Sequence, residues 1–398
     1  MPIITNETDL NTIDAQLETL VSQKREVSAG LSFFQESIDL GKGRFTNLYW
    51  VELDKARFKF KFSATTIPIP LINFHLSDKK SVAGINFGSF FLSDDFVSPV
   101  VPFYNLLINE GQIWQLPSNG RPALITGNGR LQEIYVPANG SLKIGGRSFL
   151  WSGSKEKFTS EITVFGMFDL TVIKLSSANQ ETRRRLLSET KYVNCHPGQL
   201  LIGIQLSDGK AVIEKISNEP IDLTQYAYVF RGKESDLKWC ENGQTVEEFE
   251  SNGRVYDKNE NVCSASFSLG NTREELVENL KQQLVYPKNG QPKPLFKDYL
   301  KSWSVILETK ESVIFFVNDA RPKVKNQNGI SAFELQEILI KKFDYLWACV
   351  GDSGQSSKLM VGDKVYGNMH YQNYSGRKPF WDGINGRSIP IALLAYEQ

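Results

Sequence analysis

The feature that most constrains this chain is a change of period. From Leu48 onward, apolar side chains recur at every second residue, first Tyr49, Val51 and Leu53 and then Phe58, Phe60 and Phe62. Residues that alternate in this way share one face of a β-strand. Further strand signals follow at 100–108, 122–126, 131–136, 141–150 and 161–175, separated by turn pairs such as Asn139-Gly140 and Gly145-Gly146. Gln199 to Leu206 and Ala211 to Ile216 flank Asp208-Gly209, which predicts a hairpin because both turn residues tolerate positive φ. The first half of the chain is therefore expected to be sheet-rich.

Helical spacing is confined to a few segments. Leu10, Ile13, Leu17 and Leu20 recur at three- and four-residue intervals, which predicts an amphipathic helix over 8–38, ended by Gly41 and Gly43. Residues 177–190 have helix-forming composition, and their run Arg183-Arg184-Arg185 reads as a solvated face. A third helix is expected at 271–284, with Glu274 and Glu275 in its first turn. The polar stretch 231–262 reads as a surface excursion.

With 398 residues, one large domain or two smaller ones are possible. Charged residues are 23% of the chain and hydrophobic ones 41%, which sets aside disordered and fibrous classes. Forty-five basic residues balance forty-five acidic ones, so no global footprint for nucleic acid or an anionic membrane exists and neither partner is expected. The opening MPIITNETDL lacks a cationic and then apolar leader pattern, and no apolar run could span a bilayer. A cytoplasmic location is expected, or an extracytoplasmic one if a leader has been removed. Cys195, Cys240, Cys263 and Cys349 show no CxxC or Cys/His spacing, so reduced thiols are the default; a Cys240–Cys263 bridge would need an oxidising compartment. His75, His196 and His370 suggest neither a metal site nor a triad by spacing, and no metal or cofactor is implied, although composition leaves a divalent cation open.

The last hundred residues carry the chemistry. Val305 to Leu307 and Val313 to Val317 predict a buried hairpin. Ile330 to Phe343 predicts a helix, since Ser331 followed by Glu334 forms a capping box and Leu335, Ile338, Leu339 and Phe343 make its apolar stripe. A strand at 345–350 then delivers the chain to Gly351-Asp352-Ser353-Gly354-Gln355-Ser356-Ser357. Small residues around Asp352 would let a ligand approach the backbone, and its carboxylate with the Ser356 and Ser357 hydroxyls offers an acid or base and hydrogen-bond donors. The same composition also suits a plain surface turn.

Two stretches, Ala83-Gly84-Ile85-Asn86-Phe87-Gly88-Ser89-Phe90-Phe91 and Asp352 to Ser357, resemble the early NGGFF-type and late DGGGS-type motifs of the phosphodiester glycosidase family. The likeness continues in Phe316-Val317-Asn318-Asp319-Ala320-Arg321, similar to that family's strand ending in Asp-Gly-Arg. It continues again in the helix of Gly329 to Leu339 and in the closing strand Arg387 to Tyr396. The five matches occur in the family's order and cover roughly 45–150 and 300–398, leaving 155–298 as an elaboration or insertion. The resemblance implies an α+β fold, with a largely antiparallel sheet core and packed helices, a 45–398 glycosidase-like domain and a 1–44 N-terminal helical extension. Departures stand beside the matches: Phe87 and Ser89, Ser353 and Gln355 occupy positions where the family carries other residues, mostly glycine, and Ile391 replaces an Asn.

Carried onto this sequence, the resemblance implies hydrolysis of the glycosidic bond of a sugar phosphodiester or related phosphate conjugate, nucleotide sugars included. Asp352 and Asp319 are the acid and base candidates, because paired carboxylates are the usual apparatus of glycosidic cleavage. Arg321 and Arg387 are the phosphate candidates, since a guanidinium binds phosphate oxygens through two donors. Asn86, Gly88, Gly354, Ser356 and Ser357 are the remaining substrate-binding candidates, with Asn86 equally able to hold its own loop. The alternative is a relative that kept the pocket, lost the chemistry and sequesters a phosphorylated sugar or nucleotide. In either case the two motif regions are expected to meet within one pocket, about 15 Å across.

Overall fold

The computed structural model describes residues 19–78, 80–88, 106–116, 120–153, 160–167, 192–207, 210–249, 260–281, 284–285, 293–294, 300–320, 329–367, 381–382 and 386–398. Two compact units divide the chain. Unit 1 takes residues up to 60, 69–87 and 265–398, and unit 2 takes 61–68 and 88–264.

Unit 1 contains β1 (Thr19–Ser28), β2 (Leu31–Asp39), β3 (Phe45–Asp54), the start and end of β4 (Phe58–Ile69), α1 (Leu71–Ser77) and β5 (Ser81–Asn86). After the excursion into unit 2 it resumes with β6 (Phe267–Ser268), α2 (Arg273–Lys281), β7 (Ser304–Thr309), β8 (Ser312–Asn318), α3 (Ala332–Lys342), β9 (Tyr345–Val350), β10 (Lys358–Val361), β11 (Lys364–Gly367) and β12 (Ile389–Glu397). Seven strands form an antiparallel sheet in the order β1-β2-β3-β8-β7-β9-β6. A second sheet has the order β11-β10-β5-β12-β4.

Alternation explains how the layers stack. In β8, Ile314 and Phe316 point to the helix side, where they join Leu335, Ile338 and Leu339 of α3 and Leu276 and Leu280 of α2 in one buried cluster. The intervening Phe315 packs edge-on against Phe60, and on β2 Phe33 meets Tyr366 of β11. The middle strands β7 and β8 are thus buried between helices on one face and the second sheet on the other and are apolar on both sides, whereas β1 at the sheet edge is polar and exposed. Helix α3 starts as its sequence predicts: the Ser331 hydroxyl accepts from the Glu334 amide at 3.2 Å, and the Glu334 carboxylate accepts from the Ser331 amide at 2.8 Å. Arg44 adds an ion pair to the same carboxylate at 2.8 Å.

Unit 2 is built almost wholly of strands. Asn139–Ile144, Arg147–Gly153, Ile162–Phe165, Tyr228–Lys233, Gln199–Ser207, Lys210–Ser217 and Thr245–Phe249 close in that order into a seven-stranded barrel. Arg147–Gly153 runs parallel to Ile162–Phe165, and the other barrel pairs are antiparallel. A five-stranded sheet, in the order Gln112–Gln115, Leu107–Asn109, Asn261–Ser264, Arg121–Gly127 and Arg130–Val136, shares the barrel's core through Ile108, Ala123, Ile125 and Val262. Closing a barrel removes the exposed edges that a sheet of this size would otherwise carry.

Three expectations are corrected. Residues 19–39 are not helical but form the β1–β2 hairpin, turned at Gly30 with φ +82°. The helical spacing lay in Leu10 to Leu20, almost all before the described residues, whereas Leu31 and Phe33 bury alternately as a strand requires. The polar stretch 231–262 is not a mere excursion, because Thr245–Phe249 is a barrel stave and Asn261–Ser264 is the buried middle strand of the five-stranded sheet. The α+β description is also coarse: the chain is mostly antiparallel sheet, with four α-helices of 4 to 11 residues among those described. The hairpin at Gln199 to Ile216 pairs as expected, Ser207 opposite Lys210, with its two turn residues outside the described set. Residues 177–190 also lie outside it.

Candidate functional site

The candidate site lies in unit 1 where β9 ends. Its neighbours in the sheet, β7 and then β8, run antiparallel and parallel to it, so the C-terminal ends of β8 and β9 emerge at one edge beside the start of β7. Asp352 follows β9 and Asp319 follows β8. Their backbones are separated by β7, about 10 Å at two strand spacings. At Asp319 the amide donates to the Asn47 carbonyl at 2.8 Å and the carbonyl accepts from the Thr46 hydroxyl at 2.8 Å, which ties this strand end to β3.

The loop after β9 is held from below by serines. The Ser304 carbonyl accepts from the Gly351 amide at 2.8 Å, the Ser302 hydroxyl donates to the Gly354 carbonyl at 2.5 Å, and the Ser302 carbonyl accepts from the Gly354 amide at 2.8 Å. Ser266 donates to the Gly351 carbonyl at 2.9 Å. Gly354 has φ +77°, a conformation glycine adopts without strain. Gly351 is needed for another reason: a Cβ there would lie 2.6 Å from the Phe87 ring.

Asn86, at the end of β5, locks the two motif regions together. Its side-chain amide donates to the Asp352 carbonyl at 2.8 Å, while its carbonyl oxygen accepts from the Ser304 hydroxyl at 2.6 Å and from the Lys358 amide at 2.9 Å. The side chain is fully buried, so these bonds connect β5, β7, the loop after β9 and β10 inside the protein. The Asp352 amide in turn donates to the Phe87 carbonyl at 3.1 Å. The regions expected to share one pocket are thus in direct contact. Gly88, the next residue, is counted with unit 2, where its backbone is hydrogen-bonded to the Cys263 sulfur.

Around the Asp352 carboxyl stand groups of opposite sign. Burial raises its pKa above the usual carboxylate value, and the raise is opposed by the Arg387 guanidinium, a hydrogen bond from the Ser356 hydroxyl, the Lys301 ammonium and the Ser353 amide. Arg387, on the short hairpin of Trp381–Asp382 with Gly386–Arg387, also donates to the Ser356 hydroxyl at 3.4 Å. Its carbonyl accepts from the buried ammonium of Lys358. Ser357 is fully buried, and its hydroxyl has no hydrogen-bond partner among the described residues. Asn86, Asp352, Gly354, Ser356 and Arg387 are brought together; Arg321 lies outside the described residues.

Lys301 is the group that sequence reasoning missed. It forms a two-way backbone bridge with Ile330, both bonds 3.1 Å, and its ammonium sits 4.4 Å from the centre of the Trp303 ring. Burial lowers its pKa to about 7, with the Asp352 charge acting in the opposite direction. A lysine between a polar loop and Ser-Trp carries no motif, so only the return of the chain at Ile330 and Asp352 reveals it.

All four cysteines are free, so the conceivable Cys240–Cys263 bridge is absent from the structure. Among the described residues no cluster of His, Cys, Asp or Glu could hold a metal ion, and no helix is long and apolar enough to cross a membrane.

No family model matches the chain, and no curated protein does. Solved structures do. A putative exported protein from Burkholderia pseudomallei superposes with a TM-score of 0.56 at 13% identity, over 89% of this chain and 74% of its own. A hypothetical protein from Synechocystis superposes with a TM-score of 0.53 at 12% identity over 95% of this chain, which spans 64% of that protein's length. These two share the fold. The catalytic domain of zebrafish N-acetylglucosamine-1-phosphodiester alpha-N-acetylglucosaminidase, auto-inhibited by its pro-peptide, is similar over 98% of this chain and 93% of its own, at 12% identity. Its TM-score of 0.36 is too low to carry an argument.

Proposed function

We propose that this protein is a hydrolase that cleaves the glycosidic bond of a phosphate-linked sugar, with Asp352 as the proton donor. The observation that carries this reading is the setting of the Asp352 carboxyl: burial favours its protonated form while Arg387, Lys301 and Ser356 surround it. A protonated carboxyl can give its proton to the oxygen that leaves C1 of the sugar. The neighbouring guanidinium of Arg387, with the Ser356 hydroxyl, is suited to the anionic phosphate carried by that oxygen. Asp319, at the same sheet edge, is assigned to the sugar side, and Asn86 acts through the backbone of Asp352 as a positioning residue.

The test is turnover of a panel of sugar-1-phosphodiesters and nucleotide sugars by wild type and by Asp352→Asn. The reading expects release of free sugar and phosphomonoester by wild type, with kcat/KM reduced about 100-fold or more in the variant. Equal, nonzero rates would remove Asp352 from the mechanism. A panel that is bound but never turned over would leave the other reading, a binding protein that has lost the chemistry.

A further inference from the structure

A lysine wholly out of water needs an explanation, because a buried ammonium loses its hydration and replaces it only through acceptors placed around it. Lys358, at the start of β10, is fully buried. A methionine would fill much the same space without a charge to bury. The ammonium donates to the carbonyl of Arg387, so the charge is turned toward the backbone of the residue assigned to phosphate. Lys358 itself stands on a fixed base: its amide donates to the Asn86 side chain at 2.9 Å, and it pairs with Gly367 of β11. A Cβ at Gly367 would lie 3.0 Å from the Ser357 carbonyl oxygen and 3.1 Å from a Val317 methyl, so this end of β10 is packed closely against β8 and β11.

Arg387 is gripped at both ends by this one segment. Just before Lys358, the fully buried Ser356 hydroxyl accepts from the guanidinium at 3.4 Å, while Lys358 holds the carbonyl. The guanidinium is thereby kept beside Asp352, where its charge acts on the carboxyl. The hairpin that carries Arg387 is short: among the described residues its register pairs are Trp381 opposite Arg387 and Asp382 opposite Gly386. A ladder of that length does not fix an arginine by itself. We propose that Lys358 is the positioning residue for Arg387: its ammonium fixes the Arg387 backbone, so that the guanidinium stays over Ser356 and Asp352 to receive the substrate phosphate. That use of the guanidinium rests on the hydrolase reading above; the hold of Lys358 on Arg387 does not.

Positioning differs from ordinary packing in what its loss changes. A lysine that only filled space would, on removal, lower stability and leave the Arg387 guanidinium where it is. A lysine that acts through Arg387 has no effect on binding once Arg387 is absent, so the two losses cannot add. The geometry also selects the kinetic parameter. A guanidinium that grips phosphate in the bound substrate and in the transition state alike contributes to KM more than to kcat, and a displacement of about 1 Å is enough to weaken such a contact.

Two measurements on the full chain test the proposal. The first needs no substrate: the rate at which phenylglyoxal modifies Arg387, read by peptide mapping with mass spectrometry. Arg387 is half-buried in the wild type, and in Lys358→Met it should react about threefold or more faster, while Arg44, held by its ion pair with Glu334 in the same unit, keeps its rate. An unchanged Arg387 rate in a folded variant would overturn the proposal, and so would equal acceleration at Arg44, which marks general loosening. Lys358→Gln, which keeps a shorter donor, takes the place of a methionine variant that does not fold, with the same outcomes. The second measurement is turnover of the panel of sugar-1-phosphodiesters and nucleotide sugars. Lys358→Met is expected to raise KM about tenfold or more with kcat within about threefold of wild type, and to add less than about twofold to the loss already present in Arg387→Met. An unchanged KM, or losses that add fully in the double variant, would overturn the proposal. A wild type inactive on the whole panel refutes the hydrolase reading alone: faster modification of Arg387 in Lys358→Met then still supports the positioning role, and an unchanged rate still overturns it.

Discussion

Replacing Asn86 by alanine should cost more stability than almost any other single polar substitution in unit 1. The side chain is fully buried and makes three hydrogen bonds to three different segments, at 2.6, 2.8 and 2.9 Å. Alanine would strand the Ser304 hydroxyl, the Asp352 carbonyl and the Lys358 amide in a place water does not reach. Each stranded group costs roughly 1–3 kcal/mol, and some relaxation of the hydroxyl reduces the sum to about 3–6 kcal/mol. Asn86→Asp is the informative control, since it keeps the acceptor and the shape but sets a carboxylate oxygen against the Asp352 carbonyl. Urea unfolding followed by tryptophan fluorescence, with the slope held common, would measure both. A loss below about 1 kcal/mol for Asn86→Ala would refute the argument that this amide ties the two motif regions together.

Three further outcomes follow from the same geometry. Gly351→Ala should destabilise by about 1–3 kcal/mol, because its methyl would press on the Phe87 ring at 2.6 Å, and adding Phe87→Leu should recover part of the loss in thermal melts. Asp352→Asn should be more stable than wild type at pH 8: a carboxyl whose pKa is raised on folding contributes stability below its unfolded value near 3.8 and loses it as pH rises through the folded value, so the advantage should vanish below about pH 4 in paired urea titrations. Alkylation of native protein at pH 8, read by peptide mapping, should reach Cys195 before Cys240 and Cys263. Cys195 is only half-buried, whereas burial pushes the other two thiols up to about 11 and about 12.

What was legible in the sequence was local. The Ser331–Glu334 capping box, the Val305–Val317 hairpin and the strand into Gly351 are each written in a short contiguous stretch, where spacing and cap chemistry act directly. The turn-rich loop at Asp352 was readable as a candidate for the same reason. The hairpin at 19–39 was not, because leucines spaced for a helix just upstream extended a helical reading over residues whose burial alternates. Lys301 was invisible for a different reason. Its environment is assembled by Trp303, Ile330 and Asp352, and nothing in Leu300-Lys301-Ser302 announces a buried amine. Asn86 shows the limit from both sides: its motif marked it, but its partners Ser304 and Lys358 lie 218 and 272 residues away, so only the fold distinguishes a ligand for sugar from a bolt between sheets.

The central claim is that a phosphate-linked sugar is held with its scissile oxygen at Asp352, and a crystal structure with a non-hydrolysable sugar-1-phosphonate tests it most directly. The account predicts the phosphonate on Arg387 and Ser356 and the bridging atom within about 3 Å of the Asp352 carboxyl. A phosphonate seated away from Arg387, or a bridging atom beyond the reach of Asp352, would contradict it.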